Sequence, residues 1–520
     1  MVKKRFEFIT LVILIATFGF GSLQIKAAEN ITKEEIQSAL YRCKNTNKKL
    51  TIMLYSDADN NLEEDLLQNI KEIKESYVDN PNLNLIVLID RIPGYSSDAK
   101  AFGEDFIDTR MYKIEHEKTE RIDGNKQFPE ITKTSNYEAD MGDAETLKKF
   151  IDSCKANYPA DEYELIIANH GNGARLQNEG ENINNSRQIC CDMTSKGDYL
   201  YTAELTDKLT NKESVDLLAY DACFMGTVEG AYQYRPGNGS FQAKYMVASA
   251  PIMWGKGFNY KGIFNRLNTD GGDNGEEDLT LGGKEKYYDP SKITPKELGS
   301  LIVEEQRDLV NEANNNTQSL SCFDLSKMGN VKKSVDKMSR ALWLEKGKAA
   351  VEKLRGTVDN TLLLDYFYES DATQWLVCPY FDLYDLCEKI SKSNNFSANI
   401  KYLAKKVMSN VDKAVLYSFG GSQFPDFKEG KNGLSIFLPD GSKVYKDLNS
   451  GYSYTAWQAQ RWYNSVDVSA FDSDFLYGKL SWCKDGQTTK INDVGNWFEL
   501  LDSWFDTSNN SDGGFNWYQW

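Results

Sequence analysis

The chain has 520 residues, and its formal net charge of −17 argues against a nucleic-acid partner, because binding to a phosphate backbone depends on clustered lysine and arginine. Nine cysteines are too few for a disulfide scaffold in a chain of this length. With only two histidines and no Cys-x-x-Cys pair, the sequence also gives poor support to structural or catalytic zinc.

The first 28 residues have the pattern of a secretory signal. Lys3, Lys4 and Arg5 precede an apolar run over residues 8–20, and small residues follow up to Ala28. The run is short for a membrane span, so we expect it to be cleaved, with an uncleaved anchor as the alternative. The sequence therefore predicts a secreted, extracellular protein with no membrane partner after signal removal.

The mature chain is long enough to bury a large core. We predict a first domain over residues 29–320, followed by a C-terminal region, residues 321–520, that completes this domain or packs on it. We expect a monomer.

Short apolar runs alternate with amphipathic stretches along the first half of the chain. Runs that are apolar throughout are typical of strands covered on both faces, and strands separated by helices predict an α/β fold with a mostly parallel sheet and helices on both faces. The predicted strands cover residues 50–55, 83–90, 164–168, 215–220 and 245–248, and the predicted helices cover residues 62–74, 147–154 and 202–209.

Two features are predicted further along the chain. Thr294, Pro295 and Glu297 have the pattern of a capped helix start. The C-terminal end is rich in tryptophan and could form a carbohydrate platform or part of the core. We favour core, because residues 497–501 combine tryptophan with apolar neighbours at helical spacing.

Two residues with catalytic chemistry follow predicted strands. His170 comes after the strand at 164–168, and Cys223 comes after the strand at 215–220. Parallel strands joined by a helix place their carboxyl ends at one sheet edge, where ligands bind. A thiol and an imidazole brought together there can carry out acyl transfer. Taken singly, His170 is better explained as an ordinary loop histidine and Cys223 as an inert core thiol.

The oxyanion of such a reaction needs hydrogen-bond donors. The backbone N–H groups of Gly171 and Cys223 are the candidates, and such a donor is commonly worth about 3 kcal/mol. The separation of 53 residues between His170 and Cys223 is close to the roughly 50 residues found between histidine and cysteine in caspases.

In these segments the sequence resembles the clostripain family of cysteine peptidases, whose domain is caspase-like. The resemblance extends from about residue 48 to residue 440 and is most specific at Asn169-His170-Gly171 and Tyr220-Asp221-Ala222-Cys223. The other matching segments are 55–63, 138–143, 158–161, 382–386 and 433–439.

The resemblance implies a secreted endopeptidase with Cys223 as nucleophile and His170 as its proton-transfer partner. It also implies that Asp221 lies in the pocket for the substrate side chain before the cut, and hence a preference for arginine, with lysine as a second possibility. A buried aspartate bonded to backbone amides is the alternative. Ser249 is expected to help seat the substrate backbone, although Ala250 and Pro251 replace the acidic residues usual in the family.

The chemistry itself requires no cofactor, but some members of the family depend on calcium. Asp57, Asp59 and Asn61 imitate the start of a calcium loop, yet no glycine and glutamate follow at the required positions, so an EF-hand is rejected. The acidic residues at 270–278 are conceivable ligands, although we favour a solvated loop. They are Asp270, Asp273, Glu276, Glu277 and Asp278.

The segment joining the two catalytic blocks predicts self-cleavage. Its middle, residues 178–186, is polar and is expected to be exposed. Members of the family are often zymogens cut between histidine and cysteine, and Arg187 is the first choice in this chain, with two fragments that stay associated. An uncut surface loop is the alternative.

Two other functions share these residues. A transpeptidase or ligase would pass the same acyl-enzyme to an amine instead of water, and a catalytically silent protein would hold a peptide or glycan. For the peptidase and the ligase, the expected partners are proteins or peptides.

Overall fold

A mostly parallel sheet of nine strands organises the part of the chain that the structure describes. The computed structural model describes residues 50–171, 189–195, 198–268, 287–312, 317–357, 360–366, 379–439, 444–446, 453–455, 477–488, 490 and 493–505.

The strands are numbered in the order in which they occur along the chain. They are β1 (Leu50–Ala58), β2 (Leu83–Arg91), β3 (Arg110–Glu115), β4 (Lys118–Arg121), β5 (Glu162–Ala168), β6 (Ile189–Asp192), β7 (Asp198–Leu200), β8 (Val215–Asp221), β9 (Ala243–Ala248), β10 (Ser319–Asp324), β11 (Tyr380–Asp382), β12 (Val415–Gly420), β13 (Ser435–Phe437), β14 (Val444–Lys446) and β15 (Ser453–Thr455).

The helices separate these strands. They are α1 (Glu63–Ser76), α2 (Ala144–Asn157), α3 (Thr202–Lys208), α4 (Val228–Gln233), α5 (Tyr260–Arg266), α6 (Pro295–Glu312), α7 (Met328–Leu344), α8 (Lys348–Arg355), α9 (Leu383–Lys392), α10 (Ala398–Ala414), α11 (Ser481–Lys484) and α12 (Trp497–Phe505). None of the helices in the described ranges is long and apolar enough to cross a membrane.

The large sheet has the spatial order β12-β10-β9-β8-β5-β1-β2-β3-β4. Its five central strands, from β9 to β2 in this order, are parallel, and antiparallel strands extend both edges. The carboxyl ends of the central strands therefore meet at one edge of the sheet.

Strand β1 shows how the sheet is covered on both faces. Its side chains alternate between two apolar clusters, so Tyr55 packs with Phe150 of α2 on one face, while Leu54 packs with Leu66 of α1 on the other. The rings of Tyr55 and Phe150 have centroids 6.0 Å apart. A strand buried on both faces must be apolar throughout, which is why its sequence lacks the alternation of a half-exposed strand.

The predicted α/β class with a mostly parallel sheet is confirmed. The predicted strands and helices of the first half are all present, and the capped start of α6 is confirmed in detail. Thr294 N–H donates to Glu297 Oε2 over 3.0 Å, and Glu297 N–H donates to Thr294 Oγ1 over 3.3 Å.

The antiparallel edges were not predicted. Strands β3 and β4 form a hairpin on β2, and β10 pairs antiparallel with both β9 and β12. The division at residue 320 stays a prediction; it coincides with β10, whose sheet neighbours come from both sides of that position.

The tryptophan-rich end belongs to the core where the structure describes it. Trp482 and Trp497 are fully buried and Trp504 is 5% exposed, in the same apolar cluster as α2. Trp497 Nε1–H donates to the carbonyl oxygen of Phe437 over 2.9 Å. Burial with a satisfied indole N–H supports the core interpretation. Trp517 and Trp520 lie outside the described residues.

Candidate active site

The carboxyl ends of β5 and β8 bring the two predicted catalytic blocks together. The strands are parallel neighbours with Ala168 opposite Asp221, so His170 and Cys223 leave the sheet at the same edge. Gly171 packs directly against the backbone of Cys223, and a Cβ added to Gly171 would lie 2.8 Å from the Cys223 nitrogen. Only glycine fits at this position, so packing explains why a glycine directly follows His170.

His170 and Cys223 line one cleft. Both residues are half-buried. The walls of the cleft are apolar and its floor carries Asp221. The apolar walls are formed by Leu62, Leu66, Ile252, Met253 and Trp254.

The residue after Cys223 adopts a backbone conformation that is uncommon outside glycine. Phe224 has φ +58° and is fully buried, and its N–H donates to the carbonyl oxygen of Pro251 over 2.9 Å. Thr227 then caps α4, since its side chain accepts from Gly230 N–H over 3.1 Å. The chain therefore turns sharply between the strand and the helix, with Cys223 at the turn.

Two contacts involve the side chains of Cys223 and His170, and neither was predicted. Met253 N–H donates to Cys223 Sγ over 3.2 Å. His170 Nε2 lies 2.9 Å from Asn61 Oδ1, although the two residues are 109 positions apart. The Asp57-Asp59-Asn61 pattern marked this segment as polar, but nothing in it pointed to the histidine.

Asn169 fixes the strand end that carries His170. Its side-chain Nδ2 donates to the carbonyl oxygen of Asp57 over 2.7 Å and also to the Asp57 carboxylate. Asn169 N–H donates to the carbonyl oxygen of Asp221 over 3.3 Å. The ends of β1, β5 and β8 are thus tied to one another beside the cleft.

Asp221 is 5% exposed, and its two carboxylate oxygens differ. Oδ2 accepts from Phe258 N–H over 3.1 Å and from the Tyr260 hydroxyl over 2.9 Å. Oδ1 is buried and has no hydrogen-bond partner among the described residues. Burial raises the pKa of Asp221 to about 6, and the two donors oppose that rise.

Gly257 packs directly against the Asp221 carboxylate. It has φ +69°, and a Cβ at this position would collide with Asp221 Oδ2. Glycine is therefore required both by the backbone conformation and by the close approach. The sequence around Gly257 gave no sign of this role, because the contact joins two segments that are distant along the chain.

Ser249 lies beside this arrangement but does not line the cleft. It is fully buried, and its hydroxyl lies 2.8 Å from the carbonyl oxygen of Ser319 and 3.1 Å from that of Pro251. The Ser249 carbonyl accepts from Gly226 N–H over 2.7 Å. The Ser249 hydroxyl is thus hydrogen-bonded to backbone carbonyls within the protein.

The second histidine, His116, lies away from the cleft, and two predicted features lie outside the described part. His116 sits at the β3–β4 turn, where its Nδ1 lies 2.8 Å from the carbonyl oxygen of Tyr77. Arg187 and the acidic segment 270–278 lie outside the described residues.

The fold and the cleft together define an α/β protein that places a thiol and an imidazole at the carboxyl edge of its sheet, an arrangement suited to acyl transfer. The model of the Clostripain family matches residues 54–504. The chain is also 52% identical over 531 aligned residues to clostripain from Hathewaya histolytica, with 100% of both chains covered.

Two solved structures are also similar to this chain. An inactive zymogen C11 protease from Parabacteroides distasonis is 18% identical, with 84% of this chain and 97% of that chain covered and a TM-score of 0.49. A secreted C11 cysteine protease from Bacteroides thetaiotaomicron, in complex with an irreversible peptide inhibitor, is 16% identical, with 78% and 95% covered and a TM-score of 0.45.

The chain belongs to the clostripain family, which confirms the resemblance. It is a cysteine-type endopeptidase, and its substrates are proteins or peptides.

Proposed function

We propose that the protein hydrolyses peptide bonds after arginine, and less readily after lysine, with Cys223 as nucleophile and His170 as proton carrier. The observation that carries this proposal is the packing of Gly171 on the Cys223 backbone. It holds the imidazole loop against the thiol loop, in a cleft lined by Asp221, whose buried Oδ1 has no hydrogen-bond partner among the described residues.

The contacts of the two side chains support these roles. A hydrogen bond from Met253 N–H stabilises the thiolate form of Cys223. With Asn61 Oδ1 accepting from His170, Nε2 carries the hydrogen and Nδ1 is the nitrogen that takes the thiol proton. Asn61 is therefore a positioning residue that acts through His170.

The proposed reaction has two acyl-transfer steps. The Cys223 thiolate attacks the scissile carbonyl carbon, and the resulting oxyanion faces the N–H groups of Gly171 and Cys223. The C–N bond then breaks, and the leaving amine takes the proton held by His170. Water next attacks the thioester, gives up its proton to His170 and releases the carboxylic acid. The chemistry uses no cofactor.

Asp221 is proposed to select the residue before the cut. At neutral pH its carboxylate is ionised, since the pKa of about 6 lies below that pH. The unpartnered Oδ1 is an acceptor already removed from water, so a guanidinium that reaches it forms a charge-assisted hydrogen bond. The apolar walls would cover the aliphatic part of the same side chain.

Ser249 is proposed to support the substrate backbone indirectly. Its hydroxyl is bonded to backbone carbonyls, so the contribution would come from the shape of the 249–253 segment that it holds. A direct contact with substrate would require those bonds to break.

Reporter peptides that differ only in the residue before the reporter group test this specificity. We expect the ratio kcat/KM to fall in the order arginine, lysine, leucine, aspartate. A preference for leucine or aspartate would contradict the role of Asp221. An added amine acceptor separates hydrolysis from transfer, because a transpeptidase would convert the acyl group into an amide product.

We also propose that the protein is secreted as a zymogen and cuts itself after Arg187. The signal pattern over residues 1–28 and the polar, arginine-ending segment 178–187 support this. Mass spectrometry of wild-type and Cys223→Ala protein tests it. We expect two associated fragments only in the wild type. Intact chains from both would contradict self-cleavage, and a cut in both would assign it to another protease.

A further inference from the structure

The segment between β9 and α5 contacts both the thiol and the carboxylate of the cleft. Near its start, Met253 N–H donates to Cys223 Sγ over 3.2 Å, and near its end, Phe258 N–H donates to Asp221 Oδ2 over 3.1 Å. All of residues 253–259 are described, and none of them belongs to a helix or strand. Their backbone N–H and C=O groups therefore need partners from elsewhere in the fold.

Side-chain amides from two helices supply several of these partners. Asn69 of α1 donates through Nδ2 to the carbonyl oxygen of Lys256 over 2.7 Å. Gln306 of α6 accepts from Asn259 N–H through Oε1 over 2.9 Å and donates through Nε2 to the carbonyl oxygen of Gly257 over 3.2 Å. Gln306 thus bonds the backbone on both sides of one residue, as a neighbouring strand would.

A second glutamine extends this contact to the wall of the cleft. Gln318 directly precedes β10, and both Gln306 and Gln318 are fully buried. One terminal atom of the Gln318 side-chain amide lies 3.0 Å from Gln306 Nε2, and the other lies 2.8 Å from Trp254 Nε1. An amide provides a donor and an acceptor without a charge, so these residues hold the segment without adding charge beside Asp221.

One peptide group connects Gln306 with Asp221. The carbonyl of Gly257 and the N–H of Phe258 belong to the same peptide bond, and in a trans peptide these two groups point in opposite directions. Gln306 bonds the carbonyl end, while Asp221 bonds the N–H end. The orientation of the donor that faces Asp221 is therefore tied to the contact with Gln306.

Gly257 leaves this orientation to be decided by its surroundings. It has φ +69°, and glycine has access to backbone conformations that other residues avoid. Rotation of the peptide by half a turn would direct the Gly257 carbonyl at Asp221 Oδ2, so that two acceptors faced each other. The bond from Gln306 opposes this rotation, because the carbonyl would lose its buried donor.

We propose that Gln306 is a positioning residue of the substrate pocket, which keeps Phe258 N–H directed at Asp221 and so sets how strongly arginine is preferred over lysine. This inference rests on the proposed role of Asp221. With Oδ2 bonded to Phe258 N–H and to the Tyr260 hydroxyl, the carboxylate presents Oδ1 in a fixed direction. A planar guanidinium depends on such a fixed acceptor, whereas an ammonium group accepts more orientations.

Gln306→Met tests the proposal, because methionine has a similar length but offers neither the donor nor the acceptor of the amide. We expect kcat/KM to fall about 30-fold for an arginine reporter peptide and about threefold for the lysine peptide, mostly through KM. The preference for arginine over lysine should therefore narrow about tenfold. Initial-rate kinetics per folded molecule gives the measurement.

Gln233→Met is the matched control. Gln233 of α4 is also buried, and its amide bonds two other segments, through Thr206 Oγ1 and Ser481 N–H. It does not line the cleft. Both variants are expected to lose thermal stability, but Gln233→Met should keep the arginine-to-lysine ratio of the wild type.

The pH dependence of peptide binding gives a readout that lost stability alone would not move. Burial raises the pKa of Asp221, and Phe258 N–H and the Tyr260 hydroxyl oppose that rise. Weakening the Phe258 bond should raise this pKa further, so binding would be lost at a higher pH as the pH falls. In Cys223→Ala protein, Gln306→Met should raise the midpoint for binding of an arginine-ending peptide by about half a pH unit, and Gln233→Met should leave it unchanged.

Three results would overturn the inference while the role of Asp221 stands, provided that the wild type prefers arginine. They are an unchanged arginine-to-lysine ratio in Gln306→Met, an equal narrowing in Gln233→Met, and an unmoved pH midpoint. A wild type without any preference for arginine would overturn the proposed specificity, and this inference with it. If Gln306→Met fails to fold, Gln306→Ala replaces it, because the shorter side chain leaves room for water to bond the two backbone groups, and the same narrowing is expected.

Discussion

Two buried aspartates, Asp221 in the cleft and Asp382 at the start of α9, have similar environments but differ in their hydrogen bonds. Burial raises the pKa of each to about 6. Both Asp382 oxygens are bonded, to Asp385 N–H and Asn432 Nδ2 on one side, and to the Tyr366 hydroxyl and Gly433 N–H on the other.

Asp221, in contrast, keeps one oxygen without a partner among the described residues. A carboxylate with all its acceptors bonded stabilises the fold, whereas a buried acceptor that the protein leaves open is available to a ligand. Hydrogen-bond completeness, and not the pKa, is therefore what distinguishes these two buried aspartates.

The largest expected effect tests whether the cleft is the catalytic site at all. Cys223→Ala and His170→Ala should each lower kcat/KM by about 10⁴-fold or more, because each removes a group that takes part in bond making. Initial-rate kinetics with an arginine reporter peptide gives the measurement. His116→Ala is the control and should retain wild-type activity; substantial turnover by Cys223→Ala would mean that another residue is the nucleophile.

The second effect compares the two aspartates directly. Asp221→Asn should lower kcat/KM for arginine substrates by roughly 100-fold with little change in stability, because the charge that pairs with the substrate is lost. Asp382→Asn should instead lower the free energy of unfolding by about 2–4 kcal/mol, since an amide nitrogen would face donors that now have an acceptor.

Kinetics and urea unfolding of both variants decide between these roles. Asp382→Asn is expected to keep near-normal kcat/KM per folded molecule. If Asp221→Asn behaved in the same way, losing stability but not activity, both aspartates would be structural.

A smaller effect is expected from the glycine in front of Asp221. Gly257→Ala places a methyl group against Asp221 Oδ2 and should lower kcat/KM for arginine substrates roughly 10- to 100-fold. Gly430→Ala is the matched control, because Gly430 has φ +70° against +69° for Gly257 but has nothing within 4 Å of an added Cβ. Equal losses of activity in the two variants would point to backbone strain instead of a blocked pocket.

The smallest effect is the pH dependence of binding. Protonation of Asp221 removes its charge, so Cys223→Ala protein should bind an arginine-ending peptide roughly tenfold more weakly at pH 5 than at pH 7, given the pKa of about 6. Fluorescence titration at several pH values gives the measurement. Asp221→Asn in the same background should bind weakly without this pH dependence; affinity that is constant over pH 5–7 would exclude Asp221 from the contact.

The stability contribution of the same group has the opposite sign. The pKa of Asp221 is raised on folding from its ordinary 3.8 to about 6, so the native state holds a proton that the unfolded chain has released. This contribution therefore falls as the pH rises from about 4 to 6, and Asp382 acts in the same direction.

The sequence by itself determined the class of fold and brought the two proposed catalytic groups to one edge of the sheet. Strands buried on both faces must be apolar throughout, so local composition alone predicted β1, β2, β5 and β8. Their parallel pairing then placed the residues after β5 and β8, including His170 and Cys223, at one edge. These inferences need only short-range patterns and one rule of sheet topology.

Only the tertiary structure decided which polar groups meet. The contact of Asn61 with His170, the close approach of Gly257 to Asp221, and the cluster of Asp59, Asp90 and Asp192 each join segments that are distant along the chain. Local periodicity reports which face of an element is buried, but it does not report what that face touches. Whether a buried carboxylate is fully bonded or left open depends on those long-range partners, so its role became visible only in the folded chain.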